Sequence, residues 1–245
     1  MTYVAVSALS HPGLVRDRNE DSLVVGPWTP CATVTENPQT LVFPLGTPLV
    51  VAAADGLGGQ PGREVASALV VRRLALTGPV LTDENGVREA LHACNREVYA
   101  AASGDGPATM GTTVAGAVIL PRSLLAFNVG DSRVFAASRD GLLQVSVDGN
   151  PRPGQGSASL PSCPGPRRHG GVARHHPHVT ATPVAPGDRY LICTDGLTDP
   201  VPYDVLDGLM RGYGDGRAAF ELWKAAIAAG GPDNIALALA RIANQ

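Results

Sequence analysis

The sequence predicts an α+β fold, with antiparallel sheets flanked by helix pairs. Apolar, strand-like runs follow one another across short breaks, which favours antiparallel pairing. Stretches with helical periodicity come in pairs, not one after each strand, and this argues against a doubly wound parallel sheet. The chain has 245 residues, 44% of them hydrophobic. That suits one large domain with a sizeable core better than two small ones.

The elements follow in order. "YVAVSAL" (3–9) and "DSLVVG" (21–26) read as strands around a polar loop. "TLVF" (40–43) and "PLVVAAAD" (48–55) are two more, joined by a Pro/Gly turn. From Arg63 to Leu76, Val65, Ala66, Leu69, Val70 and Leu74 recur at helical steps, and these are assigned to core packing. A second helix fits 84–102, with Val87, Leu91, Cys94 and Val98 on one face. Strands return at 112–120, 123–130 and 133–138, with "PRS" (121–123) as a tight turn and 141–147 as a further strand. Residues 148–187 become rich in Pro and Gly and read as an irregular insert. "RYLICT" (189–194) resumes strand character, helices fit 203–211 and 215–229, and 234–242 closes as a strand.

Bulk properties exclude several functions. A formal charge of −3 gives no electrostatic case for nucleic acid or an anionic membrane. Aromatic residues make up only 4%, which weakens base stacking as well. Cys31, Cys94, Cys163 and Cys193 are scattered without metal-like spacing and read as reduced thiols of a cytoplasmic protein. No targeting segment is expected at the start, and Pro38, Pro44, Gly46 and Pro48 break the longest charge-free stretch, so no membrane span is expected either.

The acids carry the chemistry. "VVAAADG" ends at Asp55, "LAFNVGDS" holds Asp131, "YLICTDG" ends at Asp195, and "GPDNIALAL" begins with Asp233 nearby. Each lies at the edge of a long apolar strand, and three are flanked by Gly, which permits sharp turns and close approach. Any one of them reads equally as a turn residue. Four at strand edges suggest carboxylates converging at one end of a sheet. Two like charges about 4 Å apart repel by about 1 kcal/mol in water-like surroundings and about 4 kcal/mol at a protein surface. Convergence therefore needs raised pKa values or a cation. An all-oxygen set suits Mg²⁺ or Mn²⁺ and not zinc. Two such ions sharing a bridging water would hydrolyse phosphate esters.

The motifs "RDRNEDS" (16–22), "ADGLGG" (54–59), "GTT" (111–113), "GDSR" (130–133), "TDGLTD" (194–199) and "GPDN" (231–234) occur in one order over nearly the whole chain. In them the chain resembles the metal-dependent protein Ser/Thr phosphatases of type 2C, in their bacterial form. The resemblance implies a four-layer α-β-β-α sandwich and a single phosphatase domain over 1–245. It implies two Mn²⁺ or Mg²⁺ ions, with a weaker third. Asp55 would bridge the two ions, Gly56 would offer its carbonyl to one, and Asp195 and Asp233 would complete the other. Glu20 and Asp21 match the acidic pair that holds metal-bound water. Arg16 matches the arginine that grips the substrate phosphate. Asp131 and Asp199 match acids of the third metal, and Asn234 a supporting residue. Arg16, Asp55, Asp195 and Asp233 are thus the expected catalytic set. The expected substrate is a phosphorylated protein, in opposition to a bacterial Ser/Thr kinase, and the expected state is a cytoplasmic monomer.

Two departures stand out. Leu57 replaces a His that some relatives carry as a candidate general acid. Residues 148–178, where relatives have a partly helical flap, look shortened and are expected to be a mobile loop. Arg152, Arg167, Arg168 and Arg174 there either attract phosphorylated substrate or are merely solvated. His169, His175, His176 and His178 lack helical i,i+4 spacing and read as chance neighbours. Thr112 and Thr113 read as buttresses. Whether 195–199 forms a helical turn is open, because Pro200 disfavours α conformation at Asp199. The alternative function is a non-catalytic phosphoprotein- or kinase-binding module on the same fold. An aspartyl-nucleophile phosphatase is disfavoured, since a DxD is missing: Ala53 and Cys193 stand two before Asp55 and Asp195.

Overall fold

The structure, a computed structural model, describes residues 2–58, 63–102, 110–138, 140–149, 160–161 and 177–244. The chain runs β1 (Thr2–His11), β2 (Ser22–Val25), β3 (Gln39–Pro44), β4 (Leu49–Ala54) and β5 (Gly56–Gly58). Helices α1 (Arg63–Thr77) and α2 (Glu84–Ala102) follow, separated by a 3-10 turn at Gly78–Val80. Then come β6 (Met110–Thr112), β7 (Val114–Ile119), β8 (Ser123–Val129), β9 (Arg133–Ser138), β10 (Gly141–Gln144), β11 (Leu160–Pro161), β12 (His178–Pro183) and β13 (Arg189–Cys193). The last elements are α3 (Asp195–Thr198), α4 (Tyr203–Gly212), α5 (Asp215–Ala228) and β14 (Ile235–Asn244).

Among the described residues the strands form two main antiparallel sheets. One has the order β10-β9-β13-β14-β1-β3 and the other β12-β8-β7-β4-β2. A small separate sheet has the order β11-β6-β5. Helices α1 and α2 cover one sheet through Val70, Val71, Leu74, Leu91 and Val98. Helices α4 and α5 cover the other through Leu206, Met210 and Leu222. The four-layer arrangement is the one expected.

The central strands are apolar throughout because both of their faces are buried, whereas the edge strands β3 and β12 are largely exposed. On β14, Ile235, Leu237 and Leu239 face the helices, while Ala236, Ala238 and Ala240 face the second sheet. On β4, Val50 and Ala52 face helices, while Leu49, Val51 and Ala53 face inward. The layer between the sheets is therefore rich in alanine, with Ala8, Ala115, Ala117 and Ala126 completing it.

Several expectations shift. The insert at 148–187 is not irregular throughout: 178–183 pairs with β8 from His178↔Asn128 to Pro183↔Ser123. Its Pro content masks an edge strand, where a missing N–H is tolerated. Strand β10 stops at Gln144 because Val145 and Ser146 both donate to the carbonyl of Val134, leaving the regular ladder. Val65 is not core: it is 41% exposed, since α1 turns Ala66, Val70 and Val71 inward instead. Leu69 packs at the edge of the core. The tight turn at 121–123 is present, closed by Leu120 N–H donating to Ser123 O at 2.8 Å. Arg152, Arg167, Arg168, Arg174, His169, His175 and His176 lie outside the described residues. His178 opens β12 and is exposed.

Candidate functional site

Strand register brings the acids together. In the five-stranded sheet Ser22 pairs with Ala54, Ala53 with Ala115, and Val114 with Val129. Asp21, Asp55, Thr113 and Asp131 therefore emerge at one end. In the six-stranded sheet His11 pairs with Ile235, and Cys193 with Leu237. Arg16, Asp195 and Asp233 therefore emerge at one end of that sheet. The two ends adjoin. Asp21, from one sheet, accepts a hydrogen bond from Thr194 of the other at 2.8 Å.

The turn after β13 is helical. Thr194 is extended, α3 begins at Asp195, and Asp199 stays α-helical with φ −75° and ψ −46° despite Pro200. Asp199 N–H donates to Asp195 O at 2.8 Å, and this closed turn outweighs the proline's disfavour. Gly196 is required there. A Cβ on it would collide with the carbonyl oxygen of Asn234. The absence of a side chain lets α3 press against the Asp233–Asn234 turn.

Asp21 is fully buried, and its Oδ1 meets no donor. It stands within hydrogen-bonding reach of Asp55. Burial pushes its pKa up to about 8, and the charge of Asp195 adds to the shift. Asp55 is raised well above the ordinary carboxylate range, first by burial, then by Asp21, Asp195 and Asp233. Burial and then the charges of Asp131, Asp199 and Asp233 raise Asp195 to about 6. The backbone of Asp55 is tied to the GTT motif: Thr113 N–H donates to its carbonyl at 2.9 Å and Thr112 Oγ1 at 2.7 Å. Both threonines are buttresses, as expected. Thr113 Oγ1 also meets Ser132 Oγ at 2.7 Å, which links the Asp55 and Asp131 loops.

Arg16 stands at the rim. Its Nη2 donates to Asp233 Oδ2 at 2.7 Å, and that bond is the main reason its own pKa is raised. Asn234 is the crosspiece: its Oδ1 accepts from Glu20 N–H at 2.8 Å, and its Nδ2 donates to the carbonyls of Pro12 and Arg18. The carboxylate of Glu20 is held by Arg63 at 3.1 Å. Gly56 begins β5, opposite Thr112, and Leu57 is half-buried beside it.

Sequence reasoning missed three residues. Thr194 is a buried polar group in an apolar strand, and that is the signal that could have found it. Arg63 and Ser67 sit on the first turns of α1, where Ser67 Oγ donates to Glu20 O at 2.6 Å. Nothing in helical periodicity singles them out.

Among the described residues, no three His, Cys, Asp or Glu groups close into a ready-made ligand cluster. Thr194 donates to Asp21, and Arg16 and the Asn234 N–H donate to Asp233. Their chemistry nonetheless fits hard divalent cations. The donors are all oxygens, one is buried without a partner, and burial, with mutual repulsion added, raises three of the pKa values.

Residues 42–229 match the family model of protein phosphatase 2C. The chain belongs to this family. It is 29% identical over 258 residues to the serine/threonine protein phosphatase PstP of Mycobacterium tuberculosis (strain H37Rv), covering 96% of this chain and 44% of the relative. The chain thus spans less than half the length of that relative. The serine/threonine phosphatase stp of Listeria monocytogenes (strain EGD-e) is 28% identical over 181 residues, covering 66% of this chain and 71% of the relative. The solved catalytic domain of PstP, in complex with two manganese ions, superposes with a TM-score of 0.77 at 25% identity, covering 100% of both chains. A bacterial serine phosphatase shares the fold, with a TM-score of 0.77 at 21% identity over 98% of each chain. In this protein phosphatase 2C family member, the fold expected from the motifs is the fold observed. No helix among its described residues is long and apolar enough to cross a membrane.

Proposed function

We propose that this chain is a Mn²⁺- or Mg²⁺-dependent phosphoprotein phosphatase that hydrolyses phosphoserine and phosphothreonine in proteins. The observation that carries the reading is the acid cluster of buried Asp21 and half-buried Asp55 and Asp195, with Arg16 at its rim on Asp233. Family membership and the manganese of the PstP catalytic domain support it.

On this reading Asp55 lies between two ions, with the Gly56 carbonyl, Asp195 and Asp233 as further ligands and Glu20 and Asp21 acting through water. Asp131 and Asp199 serve a weaker third ion. Such cations, when bound, would supply Lewis-acid activation of a water and charge neutralisation at the phosphoryl group. Arg16 orients the phosphate, because its guanidinium fork spans two oxygens. Its bond to Asp233 pre-positions that fork, and an incoming phosphate competes for it. Thr194 fixes Asp21, and Asn234 fixes Glu20 and the Arg18 carbonyl. Leu57 has no proton to give, so the leaving oxygen would take its proton from water or from another residue.

The substrates would be products of a Ser/Thr kinase, and the protein would act in the cytoplasm as a monomer. The non-catalytic alternative requires lost ligands, and every matched acid is present.

The test is phosphate release from a phosphothreonine peptide in Mn²⁺ and in excess EDTA, with Asp195→Ala alongside. Turnover that requires Mn²⁺ and vanishes in the variant is expected. Activity that survives in Asp195→Ala would overturn the assignment.

A further inference from the structure

The loop that carries Arg16 also carries two exposed apolar side chains. Leu14 is 64% exposed and Val15 is 67% exposed. Single apolar residues on a surface need no explanation. These two are adjacent and immediately precede the arginine read as the phosphate grip. Two residues of chain span at most about 7 Å, so both lie on the same short stretch of loop as Arg16.

Their backbone is fixed. Leu14 N–H donates to Gly231 O at 2.8 Å. Gly13 adopts a φ of +77°, and a Cβ on it would run into the carbonyls of Asp233 and Gly231. The 12–14 turn is thus seated against the turn bearing Asp233. An apolar surface on a rigid backbone covers a partner side chain with little ordering cost. A substrate chain advances about 3.4 Å per residue. The near neighbours of a phosphorylated residue engaged by Arg16 are thus within reach of Leu14 and Val15.

We propose that Leu14 and Val15 form an apolar seat for the residue flanking the phosphorylated Ser or Thr, selecting substrates with an aliphatic or aromatic neighbour over acidic or small polar ones. The proposal rests on the phosphatase reading and names the specificity of that same site. Covering a side chain as exposed as these is worth about tenfold in kcat/KM.

The experiment compares two phosphothreonine peptides that differ only in having Leu or Ser at the flanking positions. They are turned over in Mn²⁺ by wild type, by Val15→Ser and by Leu14→Ser/Val15→Ser. Turnover of p-nitrophenyl phosphate, which has no flanking residue, is measured in parallel. Wild type is expected to favour the Leu peptide about tenfold, the double variant to lose that preference and Val15→Ser to lose part of it, with ester turnover unchanged. Equal rates for the two peptides in wild type, or an undiminished preference in both variants, would overturn the proposal. So would a parallel fall in ester turnover, which would make these side chains supports of the loop. Absence of ester turnover in wild type would overturn the phosphatase reading and this proposal with it.

Discussion

Replacing Asp21 by Asn is expected to stabilise the metal-free protein while abolishing its activity. Asp21 is fully buried, with one oxygen bonded to Thr194 and the other without a donor. Its pKa rises from the ordinary 3.8 to about 8. A raised carboxylate pKa means that ionisation is disfavoured in the folded state. The penalty is absent below pH 3.8, grows as pH rises through the window, and is complete above about 8. At about 1.4 kcal/mol per pH unit, the ceiling at pH 8 is about 5 kcal/mol. Water entry and relaxation reduce it, so a gain of about 2 kcal/mol is expected. For a chain of this size that raises Tm by about 6 °C. Asn keeps an oxygen for Thr194 and turns a donor toward Asp55. The assay is thermal unfolding in EDTA at pH 5 and pH 8, repeated with Mn²⁺. The Asn variant should melt higher than wild type in EDTA, with the larger margin at pH 8. In Mn²⁺ the order should reverse, because the cation offsets repulsion that only wild type has in full. A variant that melts below wild type in EDTA at pH 8, or a margin independent of pH, would refute this account.

Arg16→Lys keeps the charge and loses the fork, so kcat/KM on a phosphopeptide should fall about ten- to a hundredfold. Steady-state kinetics would show it, with Tm little changed because the ion pair with Asp233 is half-exposed. Gly196→Ala should cost at least about 2 kcal/mol and weaken Mn²⁺ binding, because the added carbon meets the Asn234 carbonyl. Urea unfolding and calorimetric titration would measure the two effects. Thr194→Val removes the bond to Asp21 and the acceptor for Ala236 N–H at 3.0 Å. A loss of about 1–3 kcal/mol is expected in urea unfolding.

Much of the fold was legible because both main sheets are buried on both faces. Runs such as "LVVAAA" and "IALALA" then stand out without any need for alternation. Strands β5 and β6 were not separable, because three residues with glycine among them carry no pattern. Strand β12 was hidden by its composition and by its place at an edge. At the site, strand-end acids flagged Asp55, Asp195 and Asp233, and register places them at adjoining sheet ends. Thr194 was overlooked because it reads as the tail of a strand. Arg63 was overlooked because its partner, Glu20, is 43 positions away. The choice between helix and loop at 195–199 was decided by the Asp195–Asp199 backbone bond, which no propensity encodes.

The alanines between the sheets act as a ruler. Asp55 hangs from one sheet and Asp195 and Asp233 from the other, so the gap between the two groups of acids is the thickness of the layer that separates them. Ala8, Ala53, Ala115, Ala238 and their neighbours keep that layer thin. A chain that retained every acid but carried leucine at these interior positions would hold the two groups of carboxylates further apart. The spacing of the acids is thus set by residues outside the acid cluster, and a search for the site confined to charged positions would overlook them.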